Sequence, residues 1–332
     1  MFLENPVSYD NNILNRIKIY EEYSLMSDVD RKFLNGVVRE VKPKKVLEIG
    51  VFAGMSSAII LNAIKDFNDS FLYSVDYNTL LYSDNTKKSG FILDKEEYRD
   101  LLSRHKLYTG GVTAKFIEEI GQDIDLCFID AAHINPGEFM DILMVLPYLK
   151  KNAVLIIHDV ANHTFSYKNN KLVYTCGVLF SALKGRKIIP NDGIFNSIGN
   201  IGAVILDDDI LDRVYDYFHL LTLPWEYLPT DEDIEITKNI FIKHYDKKYI
   251  DMFINIYSYY KKEITAINDN IRNEKTAFES NHDFYMKIKS LEIRLSAMEK
   301  YVNRRFNKII NKLAWFIPIK SMRNNFRNDL IE

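Results

Sequence analysis

The chain has 332 residues, 47% of them hydrophobic and 27% charged. That is globular usage, which excludes a mostly disordered or collagen-like chain, and the length suggests about two domains. The formal net charge of -3 excludes a globally basic nucleic-acid binder, so no nucleic-acid partner is expected. The two cysteines, Cys127 and Cys176, lie far apart. They exclude a disulfide scaffold and a cysteine zinc site, and they fit a reducing compartment. The opening MFLENPVSYDNN carries acids and no long apolar run, so it does not read as a signal peptide. No 18-residue apolar stretch reads as a membrane-spanning helix. The expected location is the cytoplasm.

All 13 glycines fall between Gly36 and Gly202. Glycine marks tight turns and close backbone approaches, so the turns belong to the first two thirds and the remainder should be mostly helical. Ser27 followed by DVDRKFLNGVVREV has a cap residue, early acids and apolar residues at Phe33, Val37 and Val41. It predicts a helix that Pro43 stops. Five strands follow, at 44–51, 71–77, 106–110, 125–131 and 153–160, with helix patterns at 56–65, 95–104, 113–120 and 137–149 between them. Three of the strands are near-continuous apolar runs, as strands buried on both faces require. Residues 175–185 read as a further helix, and 186–190 and 201–207 as two last strands in a hairpin-like return. The alternation predicts an α/β fold with a doubly wound, mostly parallel seven-stranded sheet.

In such sheets ligands sit beyond the carboxyl ends of the strands. The first strand delivers Glu48, Gly50, Gly54 and Ser56 there. The G-x-x-x-G spacing fails both the dinucleotide fingerprint, because position 52 is Phe, and the P-loop, because Met55 follows Gly54. Gly50 can still make a tight turn, Gly54 can let a ligand approach the backbone, and the helix start that follows suits a carboxylate. An ordinary strand-to-helix turn reads as well. The second strand ends in Asp76, which can accept from both hydroxyls of a ribose or simply cap a helix. Thr113, after the third strand, can cap a helix or stand near an adenine edge. The fourth strand ends in Asp130 and His133, and the fifth in His158 and Asp159. Each residue alone has a structural reading, but two carboxylates and two imidazoles converging on one crevice point to chemistry.

Together, VLEIGVFAGMSS, LYSVDYN, GGVTAKFIEEI, DLCFIDAAH and LKKNAVLIIHDV resemble the class I S-adenosylmethionine-dependent methyltransferases, over roughly residues 25–207. The branch they resemble is that of the catechol O-methyltransferase-like enzymes and their bacterial relatives. The resemblance implies that Glu48, Gly50 and Ser56 surround the methionine end of the cofactor, Ser56 binding its carboxylate. It implies that Asp76 holds the ribose, that Thr113 lies by the adenine, and that Asp130 sits near the reactive methyl. His133 falls where some relatives carry a general base, and Asp159 matches a second metal-binding aspartate. Asp130 and Asp159 would hold Mg²⁺ in a metal-dependent member. The family's usual Asn after that second aspartate is replaced by Val160, which has no ligand atom, although Asn162 follows two residues later. Metal use therefore stays open at this point. An imidazole, with an ordinary pKa of about 6.5, is suited to take a hydroxyl proton near neutral pH.

The last third divides into an aromatic-rich region at 208–280 and a tail at 281–332. Trp225, between Pro224 and Pro229, is expected in the core rather than stacked on a sugar. In the tail, Ile288, Leu291, Leu295, Met298 and Val302 recur at spacings of 3, 4, 3 and 4; Arg305 interrupts this seam and Ile309 resumes it. That spacing allows a short self-associating coiled coil over 288–309, or one amphipathic helix packed on the domain. Lys300 to Asn328 holds eight basic residues and no acidic one, interleaved with Trp315, Phe316 and Ile317. Such a segment suits the inner face of an anionic membrane. It also resembles tails of glycosyltransferases that build bacterial capsules and lipopolysaccharides, which implies a glycan acceptor. The expectation is thus a bacterial S-adenosylmethionine-dependent O-methyltransferase acting on a sugar hydroxyl in surface-polysaccharide synthesis, with nitrogen still open as the methylated atom. The rival readings are an NAD-dependent sugar oxidoreductase and a non-catalytic scaffold.

Overall fold

The computed structural model describes residues 9–11, 14, 23, 26–162, 174–190, 199–315, 322 and 324. The sheet is built after α1, Asp28–Val41, whose amino terminus is closed by a capping box between Ser27 and Asp30. Lys42 ends the helix in the left-handed conformation, and Pro43 follows it. One face of α1 buries Phe33, Leu34, Val37 and Val38. The strand–helix alternation then runs β1 (Lys45–Ile49), α2 (Met55–Ile64), β2 (Phe71–Asp76), β3 (His105–Thr109), α3 (Ile117–Ile120), β4 (Ile124–Ile129), α4 (Gly137–Val145) and β5 (Leu149–His158). It closes with α5 (Cys176–Ala182), β6 (Gly185–Ile188) and β7 (Ile201–Leu206). All ten residues of α2 are buried, because the helix is apolar around most of its circumference.

The strand order is β3-β2-β1-β4-β5-β7-β6. The first five strands are parallel, and β7 runs antiparallel to both β5 and β6, as the hairpin-like return of the last two strands predicts. Successive strands step one way from β1 to β3 and the other way from β4, so the switch point lies between the carboxyl ends of β1 and β4. Two elements depart from expectation. The 95–104 helix is a 3-10 helix over Glu96–Arg104, and the 113–120 helix splits into a 3-10 turn, Thr113–Lys115, and the single α turn α3. Strand β5 also starts earlier than its apolar run, because Leu149 pairs with Ile124 ahead of a register shift.

Three helices follow: α6 (Val214–Leu220), α7 (Asp231–His244) and α8 (Lys247–Trp315). Phe218 stacks on Tyr249 and meets Phe241 and Tyr245 edge-on, and Phe241 meets Phe253. Trp225 is buried as expected: its Nε1 donates to the Leu221 carbonyl at 2.8 Å and its ring stacks on Tyr260. The chain divides into two units, residues 1–262 and 263–332. Among the described residues, no helix is long and apolar enough to cross a membrane. The basic tail expected at the membrane, 300–328, lies largely outside the described residues beyond Trp315.

Candidate active site

At the switch point the chain leaves β1 through Gly50, with φ at +90°, where a Cβ would stand 1.8 Å from the Asp130 carbonyl oxygen. The ends of β1 and β4 can touch only because Gly50 has no side chain. Asp130 donates its N–H to the Ile49 carbonyl, and Gly50 donates to the Val75 carbonyl. The next two amides, of Val51 and Phe52, both donate to Oδ2 of Asp76, at 3.0 and 2.8 Å, while Asn78 N–H donates to Oδ1 at 2.8 Å. The Asp76 carboxylate thus ties the β1 turn to the end of β2. Above it opens a cavity of about 470 Å³, lined by Gly50, Val51, Phe52, Asp76, Thr113, Asp130 and Asp141 among others. That size suits a small-molecule or cofactor site.

Glu48 lies beneath this turn and is fully buried. Its Oε1 accepts from the Ser56 hydroxyl at 2.5 Å, and its Oε2 accepts from Ser57 and Ser74 at 2.6 Å each. Burial raises its pKa to about 7 against the pull of the three hydroxyls. The Ser56 hydroxyl is therefore bonded to Glu48. Asp141, on α4, accepts from the Thr113 hydroxyl at 2.9 Å, and burial pushes its pKa up to about 7. Thr113 holds this bond rather than capping the turn that follows it, where the cap residue is Val112.

On the β4–β5 side a chain of charged groups leads away from the cavity. His158 Nδ1 is 3.2 Å from Oδ1 of Asp130 and 3.5 Å from Oδ1 of Asp159, and its Nε2 is 3.4 Å from Oδ2 of Asp30. Burial alone would discharge this ring, but Asp130, Asp30 and Asp159 override it and hold its pKa well above the ordinary value. Burial would likewise raise Asp130; the charge and hydrogen bond of His158 win and keep it below the ordinary carboxyl value. Asp30 behaves the same way, with the Ser27 hydroxyl and amide adding to His158. His133 Nε2 is 3.1 Å from Oδ2 of Asp159 and 3.6 Å from Oδ1 of Asp130. Its Nδ1 faces the Cys176 sulfur at 3.7 Å. Asn200 donates to Oδ1 of Asp159 at 2.6 Å. Three of the residues at the site, Phe52, His133 and Asp159, hold φ between 49° and 60°. Such conformations cost about 1–3 kcal/mol each and persist only where the surroundings impose them.

The structure therefore brings Gly50, Asp76, Thr113 and Asp130 to one cavity. It places Glu48 and Ser56 bonded to each other below it, with Gly54 at the start of α2. His133 and Asp159 join Asp130 in a cluster whose ligand atoms lie within 4.8 Å of one another. Asp30, Asp141 and Asn200 are members of the site that the strand-end reading missed. Asp30 reads as an early helix acid, Asp141 as a mid-helix polar residue, and Asn200 as a loop residue; no local signal marks any of them.

Residues 47–160 match the family model described as a methyltransferase domain. Among curated proteins none matches the sequence. Among solved structures, the chain resembles the O-methyltransferase TomG from Streptomyces achromogenes, involved in tomaymycin synthesis and solved with SAM, at 16% identity and a TM-score of 0.42. That match covers 60% of this chain and 92% of the other. It also resembles an O-methyltransferase from Bacillus cereus in complex with SAH (16% identity, TM-score 0.42, 59% of this chain and 91% of the other). A third is the SAH-bound methyltransferase PaMTH1 of Podospora anserina (13%, 0.42, 60% and 89%). The matched segment runs from β1 to the end of β5, and so contains every strand end that builds the cavity. Over that segment the chain is similar to methyltransferase domains.

Proposed function

We propose that the chain is an S-adenosylmethionine-dependent O-methyltransferase whose acceptor is a sugar hydroxyl, in the synthesis of a cell-surface polysaccharide. The observation that carries this reading is one cavity lined by both Asp76, anchored by the Val51 and Phe52 amides, and Asp130 of the acidic cluster. Bound S-adenosylmethionine supplies a methyl group already activated on a sulfonium. The residues suit such a molecule. Asp76 uses one backbone donor at Oδ1, leaving acceptor capacity for ribose hydroxyls. Thr113 and Asp141 border the place for the base. Asp30, Asp130 and Asp159 outnumber the single buried imidazolium of His158, so the Asp130 side favours a positive charge.

The chain's own contribution is alignment and proton handling. Fixing a nucleophile in line with a reactive carbon can lower a barrier by about 7–11 kcal/mol. The acceptor hydroxyl would pass its proton to Nδ1 of His133, the nitrogen not facing a carboxylate, while Asp159 and Asp130 hold the Nε2 side of the ring. The rim supports a sugar: Tyr77 and Tyr82 are exposed there, offering ring faces.

A divalent cation would have to be held by Asp130, Asp159 and His133. That fit is poor. The charged His158 Nδ1 already stands at Oδ1 of both Asp130 and Asp159, Asn200 donates to Oδ1 of Asp159, and the buried Val160 offers no ligand atom. The proposed reaction is accordingly metal-independent.

Thermal unfolding with S-adenosylhomocysteine and, separately, with NAD tests the cofactor. A ligand at 100 times its Kd stabilises by about 2.7 kcal/mol, so S-adenosylhomocysteine should raise the midpoint by a few degrees and NAD should not. A shift with NAD alone sinks the methyltransferase reading. Transfer of labelled methyl to nucleotide sugars and oligosaccharides then tests the acceptor, and turnover surviving EDTA tests metal independence.

A further inference from the structure

Among the described residues, 291–309 of α8 carry an exposed apolar stripe. Leu291, Leu295, Met298, Val302 and Ile309 are each 53–66% exposed. In heptad terms 288, 295, 302 and 309 are a positions, and 291, 298 and 305 are d positions. The a positions carry Ile, Leu, Val and Ile, and d carries Leu and Met before Arg305. β-branched residues at a with Leu at d favour two strands over three or four.

The flanking charges choose the orientation. Position g carries Lys287 and Arg294, and position e carries Glu292 and Glu299. In a parallel pair each g residue faces the e residue five places on in the partner helix, so Lys meets Glu and Arg meets Glu. In an antiparallel pair g faces g and e faces e, which sets base against base and acid against acid. One heptad later g is Tyr301 and e is Phe306, both exposed aromatics that the parallel register would bring together. The charged d residue has its own provision: Arg305 donates to the Tyr301 hydroxyl at 3.1 Å and lies over that ring, 5.5 Å from its centre, on the same helix.

We propose that residues 288–309 pair in parallel and in register with the same residues of a second copy of this chain, as a two-stranded coiled coil. A membrane surface is the other conceivable occupant. The stripe does not suit it over 288–302, because Glu292 and Glu299 border the seam where an anionic bilayer would select basic residues.

Sedimentation equilibrium of the full chain should show a dimer. Arg294→Glu and Glu299→Arg each place like charges at two symmetry-related contacts and should each weaken the dimer about tenfold. The double variant exchanges the charges and should restore it. All four positions involved in the two contacts are on the outside of the helix, so unfolding does not mimic this pattern. Leu291→Cys should form a disulfide with its own counterpart under mild oxidation, since the native Cys127 and Cys176 are buried. A chain that stays monomeric overturns the proposal, as does a double variant no better than the singles or a Leu291→Cys chain that fails to crosslink as a dimer. So does a monomer that pellets with phosphatidylserine vesicles and loses that binding on Leu295→Asp.

Discussion

Glu48 combines full burial with three hydroxyl donors and a pKa of about 7. Its folded value stands above the ordinary 4.5, so folding favours its protonated form. The stability it contributes is complete below about pH 4.5 and is lost as pH rises through about 7, a change of about 3 kcal/mol. Glu138, raised to about 8, and Asp141, raised to about 7, act in the same sense. Glu48→Gln should therefore flatten the fall in melting temperature between pH 5 and 7 without abolishing it. An unchanged slope would mean the carboxyl does not titrate there. Cofactor binding and turnover separate by a second pair of variants. Asp76→Ala frees the Val51 and Phe52 amides and should weaken S-adenosylhomocysteine binding at least tenfold by calorimetry. His133→Ala should lower turnover by about 10²–10⁴ and leave that affinity nearly intact, and equal turnover would remove His133 from the mechanism.

Single elements carry the site because their ends do. The amino terminus of α1 delivers Asp30 to His158, and the same carboxylate receives the Ser27 amide and hydroxyl of the capping box. Ser27→Ala should cost about 1 kcal/mol in urea unfolding through the lost cap. It should also lower the His158 pKa seen by NMR, because Asp30 loses the hydroxyl bond and is held only by the residue-27 amide; a normal helix loss with an unmoved His158 would separate the two roles. The cap itself was legible, since Ser27, Asp28 and Asp30 precede an apolar period of helical spacing. The reach of Asp30 to a residue 128 positions away was not, because nothing local distinguishes an acid that caps from one that also pairs. The strands were legible for the opposite reason: burial on both faces leaves continuous apolar runs, as in β4 and the second half of β5. The polar first half of β5, Lys150 to Asn152, carries no such run and was missed.

At the scale of the whole molecule, residues 1–262 contain the entire cavity and residues 263–332 contain the coiled-coil seam. A chain ending at Lys262 should keep S-adenosylhomocysteine binding and sediment as a monomer; loss of ligand binding on truncation would tie the second unit to the site. The order of the sheet was legible as a class, and with it the strand ends where Gly50, Asp76 and Asp130 meet. The interior wiring among Asp30, Asp141, His158 and Asn200 depends on side chains from separate elements, and only the assembled fold selects those partners. The left-handed backbone at Phe52, His133 and Asp159 bears on how this protein can be improved. Replacing a residue of positive φ by Gly removes its local backbone strain and can raise the melting temperature. Here two of the three positions are chemical groups of the cluster and the third is at the cavity floor. A thermostabilising library scored on melting temperature alone would enrich these replacements and select steadily for inactive protein, so selection on this scaffold has to be made on turnover.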